Sequence, residues 1–377
     1  MLIQFSLTNY RNFKDTATLD LSEAKITEFP EQLYRDTDGM RIIPMAALYG
    51  ANGCGKTNFL QGIWSLRQLV LDAPSAVGKN NSFFTSDADT PMEYDILFRI
   101  GNREYDYQLK LTPNSIVEEN LFGRNLNARR FEVLFDRDSE GVFLWESWED
   151  VNVATLPDHF PLLYFLGTQT DEPELKAILS YFKNMIFLHG IIDSHSVLKE
   201  MLSDEGSKLE LLTHLKNMDF DVTDLAFVGD ELFLTHTLSG QPFSLSWVDE
   251  SFGTRQFLGV LSILMKARKE DTLVLADVPE TGLHSKTLQY LYRYIGKNAA
   301  VGSQSQVLFA THETSNMNNS IFRRDELWLI AKDEEGSSHL YTLALFLKEN
   351  GEKVRKDEVY SKQYLEGRYG AIPQMVR

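Results

Sequence analysis

Cysteine is all but missing from this chain, with Cys54 its only representative. An internal disulfide is thereby excluded, and one thiol cannot build a zinc site by itself. Apolar runs are short, and none approaches the roughly 18–20 residues that a membrane-spanning helix needs. Positive charge is scarce as well: 37 Lys and Arg are outnumbered by 54 Asp and Glu, for a formal net charge of −17. That balance argues against broad, non-specific coating of nucleic acid, which depends on neutralising phosphates. It leaves a local basic groove or a basic protein partner open. Internal repeats and low-complexity segments are missing too. The opening Met1-Leu2-Ile3-Gln4-Phe5-Ser6-Leu7 alternates like a strand and lacks the basic start and apolar core of a signal peptide. A soluble, cytoplasmic protein with no membrane partner is the expectation.

What remains is ordinary globular material. The 377 residues are 43% apolar and 12% aromatic, enough to bury a substantial core. Ile42 to Tyr49 is a short, mostly apolar stretch, as expected of a strand in a sheet covered on both faces. Gly50 to Gly55 break it. Phe59, Ile63, Leu66 and Val70 then recur at helical spacing until Asp72-Ala73-Pro74. Tyr94, Ile96, Phe98 and Ile100 alternate up to the turn Gly101-Asn102, and Tyr105, Tyr107, Leu109 and Leu111 resume the alternation. That is the pattern of an antiparallel hairpin. Phe131–Phe135 and Gly141–Trp145 suggest another. Beyond about Leu175 the pattern turns helical, through Leu202–Leu215. From about Phe243, helical segments around Leu258–Leu264 and Leu288–Ile295 alternate with buried strands at Thr272–Ala276 and Val307–Thr311. Glu326–Ile330 and His339–Leu343 read as closing strands. Alternating strands and helices imply a parallel α/β sheet.

Gly50-Ala51-Asn52-Gly53-Cys54-Gly55-Lys56-Thr57 fits G-x-x-x-x-G-K-[ST] in full. Its glycines let backbone N–H groups converge on phosphate oxygens, and the following helix adds its positive end. Asn52, Gly53, Cys54, Gly55, Lys56, Thr57 and Asn58 are therefore the candidate nucleotide-binding residues. Lys56 is expected at the β- and γ-phosphates, and the Thr57 hydroxyl on Mg²⁺. Cys54 within this loop reads as a small filler. Thr272-Leu273-Val274-Leu275-Ala276-Asp277 is an apolar strand ending in a carboxylate, so Asp277 is the expected partner of Thr57 at Mg²⁺. ATP and Mg²⁺ are the implied cofactors.

With these residues in place the chain resembles the ABC-type ATPase heads of the SMC, RecF and OLD group. It resembles more closely the bacterial AAA-family ATPases of the abortive-infection type (RloA- and AbiL-like), some of which act in phage defence. Glu250-Ser251-Phe252-Gly253-Thr254-Arg255 looks like the degenerate ABC signature, Asp277-Val278-Pro279-Glu280-Thr281-Gly282-Leu283-His284 like the Walker B and D-loop, and Thr311-His312-Glu313-Thr314 like the switch histidine. Asn9-Tyr10-Arg11-Asn12-Phe13 and Arg368-Tyr369-Gly370-Ala371-Ile372-Pro373 also match that group. The resemblance spans nearly the whole chain and is thinnest from about 135 to 240.

The resemblance implies an α/β P-loop NTPase of ABC-head type: a mixed central sheet, an antiparallel β lobe and a helical insertion. One composite head is expected, with core segments at about 1–75 and 240–350, an inserted lobe at about 80–238 and a tail at about 351–377. Ser251, Gly253 and Thr254 would reach ATP held by a second subunit, which implies a homodimer or higher homo-oligomer. His312 would sense the γ-phosphate. His284 is either a subunit contact or locally packed. The group usually has Glu directly after the Walker B Asp, and here that residue is Val278, which cannot accept a proton. Glu280 lies two residues on, and on a strand would share a face with Val278. Either Glu280 serves as the base or hydrolysis is very slow. The leading functional expectation is an ATP-dimerised sensor or clamp controlling a co-encoded effector, a nuclease or toxin. The alternatives are a RecF-like repair ATPase binding DNA and a non-hydrolysing scaffold. From His312 to the last residue the chain adds about 65 residues. That is less than the ~100-residue domain expected for an appended nuclease, so an OLD-type nuclease is disfavoured.

Overall fold

The computed structural model describes all residues except 36–38, 77–80, 85, 88, 193, 349 and 374–377. Its central sheet is built from β1 (Met45–Tyr49), β2 (Ile186–His189), β3 (Leu273–Asp277), β4 (Gln306–Ala310), β5 (Leu327–Lys332) and β6 (Ser338–Thr342), in the spatial order β2-β3-β4-β1-β5-β6. The first five run parallel, and β6 returns antiparallel to β5. Parallel strands must be covered on both faces, and every residue of β1, β3 and β4 is buried.

Strand alternation divides these residues between two cores. Leu48, Leu273, Leu275, Leu308 and Ile330 pack on one side with Phe59, Ile63 and Leu66 of α1 (Lys56–Leu71). Ala47, Val274, Ala276 and Phe309 face the other side, against Phe257 and Leu261 of α2 (Phe252–Glu270) and Leu288 and Leu291 of α3 (Ser285–Ala300). The loops at the carboxyl ends of β1, β3 and β4 therefore meet along one edge, the place where open α/β sheets present their sites.

A second, seven-stranded sheet is antiparallel throughout, in the order 141–144, 132–138, 116–125, 103–111, 92–100, 2–8, 17–20. The expected hairpin is its centre, with Tyr94 opposite Leu109 and Ile96 opposite Tyr107. The second expected hairpin pairs Glu132–Asp138 with Gly141–Leu144. A mixed central sheet beside an antiparallel lobe is the expected fold class.

Three features depart from the sequence reading. The stretch beyond Leu175 is not all helical, since Ile186–His189 forms β2 at the edge of the central sheet beside β3. Strand segments Val222–Val228, Glu231–Leu238 and Gln241–Ser246 form a separate three-stranded sheet where no strand was expected. The sheets also do not divide where core and inserted lobe were expected to part. Leu2–Thr8, assigned to the core, pairs with Met92–Ile100 of the lobe, while β2, assigned to the lobe, completes the core sheet. β2 has only four residues, too few for its period to stand out, so long-range pairing decides it.

Candidate functional site

β1 ends at Tyr49, and the chain turns through Gly50–Gly55 before α1 begins at Lys56. Two glycines explain the composition of this loop. Gly55 has φ +109°, and a Cβ there would lie 2.0 Å from Asn12 Nδ2. Gly53 has φ +74°, and no atom of the described residues lies within 4 Å of a would-be Cβ, leaving open space over the loop. Behind the loop, Asn12 Nδ2 and Ser338 Oγ both donate to the Cys54 carbonyl, at 2.9 and 2.6 Å. Asn58 Nδ2 donates to Asn12 Oδ1 at 2.6 Å, and Arg11 donates to Asn58 Oδ1 at 3.0 Å. The N-terminal corner thus pins the loop, and those bonds account for the polar residues at Arg11 and Asn12. Cys54 is buried, and burial raises its thiol pKa, so it has little thiolate character.

Lys56 is buried in the loop. Its ammonium donates to the carbonyls of Gly50 at 2.8 Å and Ala51 at 3.1 Å, and burial lowers its pKa. Asn52 and Gly53 are exposed at the tip. Thr57 Oγ1 lies 3.0 Å from each oxygen of the buried Asp277 carboxylate, which stands at the end of β3. A hydroxyl beside a carboxylate is a hard, all-oxygen pair of the kind Mg²⁺ takes, and the open space at Gly53 suits a phosphate. The residues present therefore fit ATP with a divalent cation.

Glu280 reaches this edge by a different route from the one expected. β3 stops at Asp277, and Val278 has φ +53°, a left-handed conformation that a β-branched residue rarely adopts. Strand alternation therefore cannot place Glu280. Instead the chain turns, with Thr281 N–H donating to the Val278 carbonyl and Leu283 N–H to that of Glu280 at 2.9 Å. Glu280 Oε1 accepts from Thr311 Oγ1 and from the His312 backbone N–H, both at 2.8 Å. Its Oε2 is buried and has no hydrogen-bond partner among the described residues. The His312 ring is exposed, and partial burial followed by the charge of Lys56 lowers its pKa, favouring a neutral imidazole. The adjacent Glu313 is spent locally, accepting from Ser315 and Asn316.

The segment Glu250–Arg255 makes its own local cap beside this cluster. Ser251 caps α2, its Oγ accepting from Thr254 N at 3.1 Å and pairing with Thr254 Oγ1 at 2.7 Å. Thr254 is buried and both its polar groups are taken up by that cap. A Cβ on Gly253 would touch the Gly282 carbonyl at 3.4 Å, and one on Gly282 would strike the Phe252 ring. Phe252 and Gly253 therefore abut Gly282 of their own chain. Among the described residues no hydrogen bond joins Ser251, Gly253 or Thr254 to the phosphate loop, Asp277, Glu280 or His312. His284 caps α3, accepting from Lys286 N at 3.2 Å.

Two residues at the site escaped the sequence reading. His189, the last residue of β2, places Nδ1 2.9 Å from Asp277 Oδ2. Gln256 of α2 donates to the Gly190 carbonyl at 2.9 Å and accepts from Ile192 N at 3.3 Å, tying the segment after His189 to the signature helix. A signal for His189 did exist: Ile186-Phe187-Leu188 is an apolar run ending in a polar residue and a glycine, a short copy of the pattern that marks Asp277.

A strand–loop–helix carrying Lys56 and Thr57, with acidic residues and a histidine brought to it from neighbouring parallel strands, defines a P-loop ATPase of AAA type. The chain belongs to the family described as "AAA domain, putative AbiEii toxin, Type IV TA system", whose model matches residues 45–317. No curated protein matches the chain. Among solved structures it is similar to the "SMC head domain from Thermotoga maritima", with 12% identity, 90% of this chain and 98% of that chain covered, and a TM-score of 0.49. It is also similar to "An inward-facing conformation of a putative metal-chelate type ABC transporter", with 10% identity, 92% and 86% covered, and a TM-score of 0.34. Among the described residues no helix is long and apolar enough to cross a membrane.

Proposed function

We propose that this protein binds ATP with a divalent cation at Asn52–Asn58 and Asp277, and hydrolyses it slowly with Glu280 as general base. ATP, when bound, supplies the transferable γ-phosphoryl group. Lys56 would exchange its bonds to the loop carbonyls for phosphate oxygens, and Thr57 and Asp277 would hold Mg²⁺. His312 would read the γ-phosphate. The observation that carries the catalytic part is the Glu280 carboxylate. One oxygen is fixed by Thr311 and His312, and the other is buried without a partner among the described residues. A buried acceptor left unpaired costs free energy and calls for a donor such as an ordered water. An oriented carboxylate with one free oxygen is what a base at an attacking water requires.

ATP would also bring two copies together, the Ser251–Gly253 corner of one closing over the loop of the other. Support comes from the cap geometry, which keeps Ser251 and Gly253 at the N-terminus of a 19-residue helix, with no hydrogen bond to their own loop among the described residues. Thr254 would serve by fixing Ser251. In this reading the assembly is a cytoplasmic, abortive-infection-type sensor or clamp that controls a co-encoded nuclease or toxin in anti-phage defence.

The test combines binding of a fluorescent ATP analogue with light scattering on the full chain. The wild type should bind the analogue and become a dimer or larger with ATP, and Lys56→Ala should do neither. Retained affinity in Lys56→Ala would remove the binding site from Gly50–Thr57. Binding without assembly would remove the shared-site part alone.

A further inference from the structure

We propose that His189 is a ligand of the divalent cation and tilts its preference away from Mg²⁺ towards Mn²⁺. The inference rests on the reading of the loop as a nucleotide site, and its basis is the geometry around Asp277.

The register of the central sheet sets His189 directly beside Asp277, and the next residue, Gly190, donates its N–H to the Asp277 carbonyl at 3.1 Å. The two side chains rise from adjacent parallel strands at the same level. Asp277 is buried, at 2% side-chain exposure, whereas the His189 ring is 69% exposed. The imidazole thus reaches the carboxylate from the solvent side, where a cation would enter. It does so through Nδ1, and among the described residues no hydrogen bond occupies Nε2.

Three donor atoms of different kinds now stand together. Thr57 Oγ1 is 3.0 Å from Asp277 Oδ2, and His189 Nδ1 is 2.9 Å from the same oxygen. In an octahedral site with bonds of about 2.1 Å, neighbouring ligands are separated by about 3.0 Å. The donor spacings already match that edge. Mg²⁺ favours oxygen donors and gives up water reluctantly, while imidazole suits the transition metals increasingly along the series from Mn²⁺. A hydroxyl, a carboxylate and an imidazole around one ion make a mixed set. Such a set discriminates in favour of Mn²⁺, which still accepts phosphate oxygens. Gln256 holds the backbone on either side of the ring's exit, at the Gly190 carbonyl and Ile192 N–H, and so limits how far His189 can move from this position.

A residue that only orients Asp277 by a hydrogen bond would produce the same spacing with the cation absent, so the test must read the nitrogen itself. Full-length wild type, His189→Ala and His189→Gln are loaded with Mn²⁺ and a non-hydrolysable ATP analogue. Pulsed electron paramagnetic resonance then looks for ¹⁴N modulation of the Mn²⁺ signal. The wild type should show coupling from a directly bound imidazole nitrogen, and both variants should lose it. Competition between Mn²⁺ and Mg²⁺ should show the Mn²⁺ preference falling about tenfold in His189→Ala. Exposure of the ring makes misfolding of the variants a small risk, and retained binding of the fluorescent analogue without metal confirms an intact loop. Mn²⁺ bound with nucleotide but without protein nitrogen coupling, or an unchanged Mn²⁺/Mg²⁺ ratio in His189→Ala, overturns the proposal while leaving the nucleotide site standing. Failure of the wild type to bind nucleotide at all overturns both.

Discussion

Replacing Glu280 by Gln separates the two tasks that this side chain can have. An amide oxygen keeps the position of Oε1 and still accepts from Thr311 Oγ1 and the His312 N–H, each 2.8 Å away in the wild type. Bracing of the Thr311–His312 backbone therefore survives. The amide nitrogen takes the place of Oε2, which is buried and partnerless among the described residues, so one unpaired acceptor becomes a poorly paired donor. That exchange costs on the order of 1–3 kcal/mol of stability at most. The chemical loss is larger. An amide cannot take a proton from water, and a positioned general base contributes about 10²–10⁴-fold, or about 3–5 kcal/mol of barrier. Nucleotide affinity, set by the loop on the other side of the cluster, should change less than about threefold, under ~0.7 kcal/mol. Phosphate release under saturating ATP, alongside equilibrium titration of a fluorescent analogue, measures both quantities. The expected result is turnover reduced at least a hundredfold with affinity retained. Turnover within about threefold of the wild type would refute the assignment of Glu280 as base and leave it as a brace for His312.

Two further outcomes follow from the same turn and from the lobe. Val278→Glu puts a carboxylate directly after Asp277 and removes a β-branched residue from φ +53°. Hydrolysis should rise at least about tenfold without loss of thermal stability, and unchanged phosphate release would show that position 278 does not face the attacking water. In the antiparallel sheet, burial and then the neighbouring Asp95 push the Asp106 pKa up to about 7 from its ordinary 3.8. A carboxyl raised in the folded state weakens folding as pH climbs from about 4 to 7, and the penalty is complete above pH 7. Asp106→Asn should therefore stabilise the protein at pH 8 by about 2 kcal/mol, after allowing for solvent screening, and have little effect at pH 4. Equal urea midpoints for variant and wild type at pH 8 would contradict this.

Local chemistry carried much of this protein in its sequence. The loop Gly50–Thr57 needs consecutive residues of fixed types, because glycines must clear the space and Lys56 and Thr57 must open a helix. Such a requirement is written in one stretch of chain. The strands of the central sheet were legible for a similar reason: burial on both faces leaves β1, β3 and β4 apolar along their length. The central hairpin of the lobe announced itself by alternation and by Gly101 at its turn.

What the tertiary structure decided is which distant pieces meet. Ile186–His189 is a four-residue strand, too short to declare itself, and only its pairing with Leu273–Asp277 puts His189 beside Asp277. Glu280 was placed by strand periodicity in the sequence, yet it arrives through a turn that begins at a left-handed Val278, and its orientation comes from Thr311 and His312, more than 30 residues away. Asn12 and Ser338, 326 residues apart, close on the same carbonyl of Cys54. Residue type at each of these positions is compatible with many surroundings. A motif fixes chemistry that neighbours along the chain can supply, whereas a hydrogen bond across the fold exists only after the sheets have chosen their partners.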